Sequence, residues 1–580
     1  MSLVSKLKAA KTLDDLAALL GYKPNGLSFV LYHIPDAVKY KTFSIPKSQG
    51  GVRTIKAPEA RIKLLQKHLS NLLYLYLDEL EKSGKRYKPV AHGFARSLSI
   101  VTNATVHKRR RHVLNLDLAD FFPTINFGRV RGVFLKDKRF QFAPKIATLI
   151  AQIACHNHSL PQGSPCSPVI SNIVGRLLDV RLVRLAKQHK CTYSRYADDI
   201  TFSTNQKEFP TELALPDPSS TGAWVVGPAL TAEITGSGFT VNAGKTRMQF
   251  RGSRQTATGL LVNEKVNVRP EYYRTVRSMC ASLFSTGKYF AMLPATLTGG
   301  TAGDPDVKRE YDTFPVLQGR LGYIYQVRDL VESRSSVEKK KDPTATRTLF
   351  HRLLFYKNFI RASLPLIITE GKTDPVYLKA AIERRTIFHP RLGHFDAGKF
   401  KFAVRFMNFT RTVHDVLQLG GGTGDLKFFI LYYKAIFGEF KHRPLKAPVI
   451  VLIDNDTGTK EIFGVMRENT DHKLISTETK APFYRVYANL YLMKTPETGK
   501  SKGMTCVENL FEPSLLATKI DGLAFDPDKK HNESGKYGKA IFAEKVVRPN
   551  KSSIVFDGFD PLLKRICDVI DDYAANPTYP

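Results

Sequence analysis

Two short segments end apolar runs in aspartates. One is Asn115-Leu116-Asp117-Leu118-Ala119-Asp120-Phe121-Phe122; about 80 residues on comes Tyr196-Ala197-Asp198-Asp199-Ile200-Thr201-Phe202. Brought together, Asp117, Asp198 and Asp199 offer hard oxygen ligands, and Mg²⁺ favours a few carboxylates completed by water and substrate phosphates. Two such cations about 4 Å apart equip a site to join phosphates through a 3′-oxygen: one lowers the pKa of the attacking oxygen, the other steadies the leaving pyrophosphate. Left without a cation, neighbouring carboxylates repel one another. A second set lies in the C-terminal half, with Glu370 after Leu366-Ile367-Ile368-Thr369, and Asp454 and Asp456 after Ile450-Val451-Leu452-Ile453. Strand geometry of period two predicts that Asp454 and Asp456 share a face and one cation, with Glu370 supplied by a neighbouring strand.

The elements that must hold these acids follow from period and punctuation. Tyr40 to Pro46 and Val52 to Ile55, around Lys47-Ser48-Gln49-Gly50-Gly51, read as a hairpin; Ala60 to Leu80 carries leucines at helical spacing. Residues 112–125 and 191–203 read as strands with acids at their ends, separated by a helix-rich stretch that Leu160-Pro161-Gln162-Gly163-Ser164-Pro165 interrupts. Residues 204–238, rich in Pro, Gly, Ser and Thr, read as a surface insertion, and 265–330 as helical and basic. The polar stretch Val331 to Arg347 looks like a linker. Beyond it, short apolar runs that stop at acids alternate with helical segments, the pattern of an α/β domain with buried parallel strands.

A chain of 580 residues calls for two to four domains, and 43% apolar with 24% charged residues excludes a disordered or fibrous protein. No apolar run reaches the roughly 18 residues that span a bilayer. Met1 to Pro24 has neither an uninterrupted apolar core nor a small-residue cleavage site, so it does not read as a secretion signal. Six cysteines without a Cys-x-x-Cys pair fit a reducing cytoplasm. Lys plus Arg number 87 against 53 Asp plus Glu, a formal +34, which points to a polyanionic partner, nucleic acid above all.

Tyr-Ala-Asp-Asp preceded by Asp117 and Phe121-Phe122, with Leu160 to Pro165 between them and Gly238-Phe239-Thr240-Val241-Asn242 and Lys245-Thr246 after, resembles motifs A to D of reverse transcriptases in their order. The resemblance implies a right hand of fingers and palm over 1–265 and a thumb over 266–330. It makes Asp117, Asp198 and Asp199 the ligands of two Mg²⁺ ions, and Phe122, five residues after Asp117, the gate that excludes a ribose 2′-hydroxyl. Gln162 would line the nucleotide pocket, Lys47 and Arg53 would meet the triphosphate of a deoxynucleotide, and Lys245 would serve the pyrophosphate. Asn103-Ala104-Thr105-Val106-His107 resembles the Asn-Ala-x-x-His element of bacterial retron enzymes, and Gln255-Thr256-Ala257-Thr258-Gly259 their Val-Thr-Gly element, with Ala257 in place of Val. Asn103, Ala104, His107, Thr258 and Gly259 are therefore expected to contact RNA. The retron resemblance further implies priming from the 2′-hydroxyl of a guanosine in the protein's own non-coding RNA, giving a branched RNA–DNA product (msDNA) that stays bound.

After a linker over 331–360, residues 361–580 resemble a Toprim domain: Glu370-Gly371-Lys372-Thr373-Asp374 is similar to the nuclease branch typified by overcoming-lysogenization-defect proteins. That resemblance adds Glu508 as a further acid, Lys539 either as a lysine at the scissile phosphate or as a surface residue, and a second Mg²⁺ or Mn²⁺ site. The expected fold class is thus multidomain α+β and α/β, a reverse transcriptase hand followed by an α/β domain with a mostly parallel sheet. The fusion resembles a retron class used against phage, in which the Toprim part is a nuclease effector held inactive by msDNA. A Toprim domain that only binds nucleic acid or a partner is the alternative, and the nucleic acid it acts on and any homo-oligomer are open at this level.

Overall fold

The computed structural model describes residues 2–46, 51–83, 90–295, 300, 304–456, 458–470, 472, 474–476, 479, 481–497, 504–528 and 535–577. The chain forms two compact units. The first comprises Met1–Tyr273, Met292–Arg309 and Gln326–Glu332; the second comprises Arg274–Ala291, Glu310–Tyr325 and Ser333–Pro580. No helix among the described residues is long and apolar enough to cross a membrane.

The first unit is organised around an antiparallel sheet in which the strand His112–Ala119 is central. Asp199–Thr204 pairs with one edge of it and Thr192–Tyr196 lies outside that; Thr240–Val241 and Arg247–Phe250 share the other edge. Alternation sets the faces. Leu114, Leu116 and Leu118, with Ile200 and Phe202 opposite, are buried in the main hydrophobic core, each worth about 2 kcal/mol. The odd-numbered residues Asn115, Asp117, Asp199 and Thr201 therefore share the other face. Helices Pro144–Ala154 and Ser167–Gln188 supply Ile146, Ile150, Ile170, Val174 and Leu178 to the same core. The expected hairpin is present as Tyr40–Pro46 paired with Val52–Pro58, placing Arg53 opposite Ile45. The stretch 204–238 is less superficial than its composition suggests: Phe209, Leu213, Leu230 and Ile234 are buried because its helix Pro228–Gly236 packs on Ser167–Gln188.

The second unit carries a five-stranded sheet. Arg405–Phe406, Leu366–Thr369, Val449–Ile453 and Leu490–Lys494 run parallel in that order, and Tyr484–Tyr487 closes one edge antiparallel. The helix Asp560–Ala575 presents Leu562, Leu563, Ile566, Val569 and Tyr573 to its core. The expected linker and thumb divide differently here. Residues 345–360 form a helix with a π-helical end, and Phe350, Leu353, Leu354, Phe355, Phe359 and Ile360 are buried. Apolar residues three and four apart form a packing face, which the polar run before them masks in the composition. Two stretches of the expected thumb group with this unit as well, Phe284 packing on Tyr356 and Phe440 with ring centroids 5.4 and 5.1 Å apart.

Candidate functional site

Strand register builds the first acid site. Asp117 lies directly opposite Asp199, and Asp198 occupies the turn between Thr192–Tyr196 and Asp199–Thr204. That turn requires Ala197 at φ +58°, and it is tied to the central strand by Leu118 N–H donating to the Asp198 carbonyl at 3.0 Å. From beneath, the fully buried Arg195 forks onto both oxygens of Asp179, at 2.7 and 2.8 Å, and donates to the Ala197 carbonyl at 3.0 Å. Gly93 runs so close that a Cβ there would stand 2.5 Å from the Ala197 nitrogen, so only glycine fits.

Electrostatics marks this as a place for positive charge. Burial first, then the Asp117 charge, raises the Asp198 carboxyl above the ordinary range, while Lys245 and Arg53 pull it down. Asp199 is exposed, yet crowding by its surroundings, then the charges of Asp198 and Asp117, takes it up to about 6. Lys245 donates to Asp117 Oδ1 at 3.0 Å, and the Asn242 amide reaches the same oxygen at 3.3 Å. Among the described residues no group of three or more His, Cys, Asp or Glu side chains is already gathered to ligating distance. The donor set is nonetheless all hard oxygen, and two of its carboxyls resist ionisation without a counter-charge, so Mg²⁺ fits it.

The expected nucleotide-binding residues are partly assembled around these acids. Arg53 is exposed and close enough for its charge to act on Asp198. The half-buried Phe122 ring lies 6.1 Å from that of Phe94. The Gln162 carbonyl accepts from Lys56 N–H at 2.8 Å, and Gly163, at φ +119°, lets its loop approach the Lys56 carbonyl. Lys245 sits on Asp117 itself. Lys47 lies outside the described residues.

The expected RNA contacts need correction. Asn103, Ala104 and His107 are buried, at no more than 1% exposure, and have no free surface for a ligand. His107 bonds Ser203 Oγ at 2.8 Å through Nδ1 and Ser194 Oγ at 2.7 Å through Nε2, and Ser194 in turn donates to Asn103 at 2.7 Å. The element thus fastens the helix Ile100–Thr105 to both strands of the Asp198–Asp199 hairpin. Thr258 and Gly259 are the two positive-φ residues of a tight turn between Thr256–Ala257 and Leu260–Leu261. Thr258 Oγ1 donates to the Ile100 carbonyl, so of the five only Gly259 is exposed.

His107 makes a pH prediction. Burial, then the charges of Arg110 and His92, lowers its pKa from the ordinary 6.5 to about 3. Between those values the unfolded chain binds a proton that the folded chain refuses, so stability is retained above pH 6.5 and lost as pH falls through the window, by about 4 kcal/mol at its lower end. Urea unfolding of wild type and His107→Gln should show a steeper acid loss in the wild type between pH 6.5 and 4. Parallel curves would refute the assignment.

The second acid site lies where parallel strands end, the usual place for a ligand crevice in such sheets. Glu370 follows Leu366–Thr369 and Asp454 follows Val449–Ile453, with Asp454 N–H donating to Glu370 Oε2 at 3.2 Å. The loop Gly420-Gly421-Gly422 brings Thr423 alongside, its hydroxyl donating to Glu370 Oε1 at 2.6 Å. Val507 N–H meets Asp454 Oδ1 at 3.2 Å, which sets Glu508 next to it. Glu508 is 1% exposed; its Oε2 accepts from Lys539 Nζ at 3.0 Å, and its Oε1 is buried without a hydrogen bond. Burial, then Asp374, takes Asp454 up to about 8, and burial, then Glu508, takes Asp374 up to about 6. Burial opposes the Lys539 charge, but Glu508 overrides it and raises the ammonium, so Lys539 is a fixed cation.

One expectation changes here and one residue is added. The strand stops at Ile453, so period two does not extend to Asp456, which is exposed and accepts from Gly458 N–H at 2.8 Å instead of sharing a face with Asp454. Asp374, 3% exposed and bonded to Gly371 N–H at 2.9 Å, takes the place in the cluster. Its signal was its position in Glu370-Gly371-Lys372-Thr373-Asp374. An orphaned buried carboxylate oxygen among upshifted acids fits a divalent cation here too.

The family model described as reverse transcriptase (RNA-dependent DNA polymerase) matches residues 45–268. Retron Mx65 reverse transcriptase of Myxococcus xanthus is 35% identical over 290 residues, 46% of this chain and 62% of that one. Retron Mx162 reverse transcriptase of the same organism is 34% identical, covering 43% and 53%. Retron Ec86 reverse transcriptase of Escherichia coli is 30% identical over 249 residues, 42% of this chain and 70% of that one. The chain thus spans between about half and about two thirds of the length of these relatives.

Proposed function

The chain belongs to the family of retron reverse transcriptases, and from that premise we propose that its first unit is an RNA-directed DNA polymerase that copies the protein's own non-coding RNA into branched msDNA, primed by a guanosine 2′-hydroxyl. The observation that carries the polymerase is Asp117 facing Asp199 in register, with Asp198 on the adjoining turn. These three carboxylates would hold two Mg²⁺ ions. When bound, the cations lower the pKa of the attacking hydroxyl and steady the pyrophosphate. Arg53 draws the triphosphate toward the acids, and Phe122 closes the space a 2′-hydroxyl would need. Lys245 and Asn242 hold the Asp117 carboxylate in place between turnovers.

Phe122→Ala should raise ribonucleotide incorporation relative to deoxynucleotide by at least about 10-fold, read as the ratio of kcat/KM values in primer extension. An unchanged ratio would remove Phe122 from the gate. The priming step is tested by purifying the protein with its cognate RNA, supplying deoxynucleotides, and digesting the RNA. DNA that retains one guanosine through a 2′–5′ linkage is expected; DNA with a free 5′ end would overturn it.

The second unit we read as a Toprim nuclease, the effector of an anti-phage system restrained by msDNA. The supporting observations are acids at the carboxyl ends of parallel strands and the orphaned Glu508 oxygen. Glu370, Asp374, Asp454 and Glu508 would hold the cation, and Lys539 would steady the phosphate being cut. The exposed position of Asp456 favours the alternative, a unit that binds without cutting. Glu508→Gln separates them: as a nuclease, the variant loses Mn²⁺-dependent cleavage and phage protection while DNA synthesis continues unchanged. Protection that survives the substitution would favour the binding module.

A further inference from the structure

A cavity of about 640 Å³ lies in the second unit, on the helix Thr423–Gly438 but lined by none of the acids described above. Its other walls are the helices Ser336–Lys341 and Ala345–Phe355 and the π-helical turn Val413–Leu417. The volume is that of a small-molecule site.

The lining divides into a flat apolar side and a basic side. Phe428 and Tyr432, four residues apart on one helix face, are 55% and 53% exposed, with rings 6° from parallel and centroids 6.3 Å apart. Two large, exposed, parallel rings on the wall of a cavity offer faces on which a planar group can stack. Lys340, Lys341 and Arg347 also line the cavity, and among the described residues no carboxylate side chain does. Arg347 is only 6% exposed and is anchored by a hydrogen bond to the Asp415 carbonyl. His351 lines the same space; burial, then the Arg347 charge, lowers its pKa to about 4, leaving a neutral ring that can donate and accept at pH 7. A planar ring system that carries negative charge matches both sides, and nucleotides are an abundant cellular class with that chemistry.

We propose that this cavity binds a nucleotide, its base laid on Phe428 and Tyr432 and its phosphate held by Lys340, Lys341 and Arg347. The nucleotide is either free or one unit of a single strand, and the site requires neither the polymerase nor the nuclease reading. The full-length protein, stripped of nucleic acid and kept in EDTA so that the acid sites do not contribute, is titrated with ATP, dATP, a twelve-nucleotide deoxythymidine oligomer and inorganic phosphate. At least one nucleotide probe should bind, and its affinity should fall at least tenfold in Tyr432→Ala and in the Lys340→Glu, Lys341→Glu double variant. Both variants alter partly exposed side chains, and thermal melts check that they fold. Binding of the mononucleotides identifies a free ligand; binding of the oligomer alone identifies a strand. Failure of every nucleotide probe, affinity indifferent to both variants, or phosphate binding as tightly as the nucleotides would overturn the proposal.

Discussion

Asp199→Asn lowers the rate of DNA synthesis by on the order of 10³-fold and leaves the fold intact. The asparagine keeps the shape of the side chain and removes the charge a cation would need. Because Asp199 is already pushed up to about 6, its neutral form is well tolerated where no counter-charge is present. Stability should therefore move in the opposite direction from activity. A group whose folded pKa is raised withdraws stability as pH rises from its unfolded value, near 4, through 6, so the variant in EDTA at pH 7 should melt at the same temperature as wild type or higher. Single-turnover primer extension and thermal melts measure the two halves. Wild-type synthesis, or a variant that fails to fold, would refute the assignment of Asp199 to the reacting centre.

Arg195→Ala is expected to destabilise the first unit by about 4 kcal/mol, because it strands the Asp179 carboxylate in the core. Arg195 is fully buried, Asp179 is 4% exposed, and Tyr193 O–H adds a bond to Asp179 at 2.7 Å. The informative comparison is the double variant Arg195→Met, Asp179→Leu. Replacing a buried ion pair by apolar groups restores much of the stability, yet the Ala197 carbonyl still lacks its donor, and the turn carrying Asp198 loses its support. Denaturant unfolding should recover in the double variant while kcat stays low and KM for deoxynucleotide changes little. Recovery of both would reduce Arg195 to a residue of the core.

The meeting of Asp117, Asp198 and Asp199 was legible because its geometry is local. A two-residue turn between short strands and alternation along His112–Ala119 together decide which face receives Asp117 and Asp199. What the sequence concealed depends on long-range packing. Asn103 and His107 are polar and look like ligand contacts, but their partners are Ser194 and Ser203, about 90 residues away along the chain. The polar first half of 331–360 has the composition of a spacer, which hides the helical register of a core element in Phe350 to Ile360. Asp456 shares a face with Asp454 only if the strand runs on past Ile453, and it stops there. Asp374 carries no signal of its own, since one acid at the start of a helix is ordinary and only the fold reveals the neighbours that repel it.

The bond from Lys56 N–H to the Gln162 carbonyl, with Gly163 fitted against the Lys56 carbonyl, has a mechanical consequence. The hairpin that carries Arg53 is riveted to the loop that carries Gln162, so the two segments travel as a single lever. Bulk added at Gly163 would press on the Lys56 carbonyl and wedge the loop off the hairpin, uncoupling two segments that otherwise shift in step.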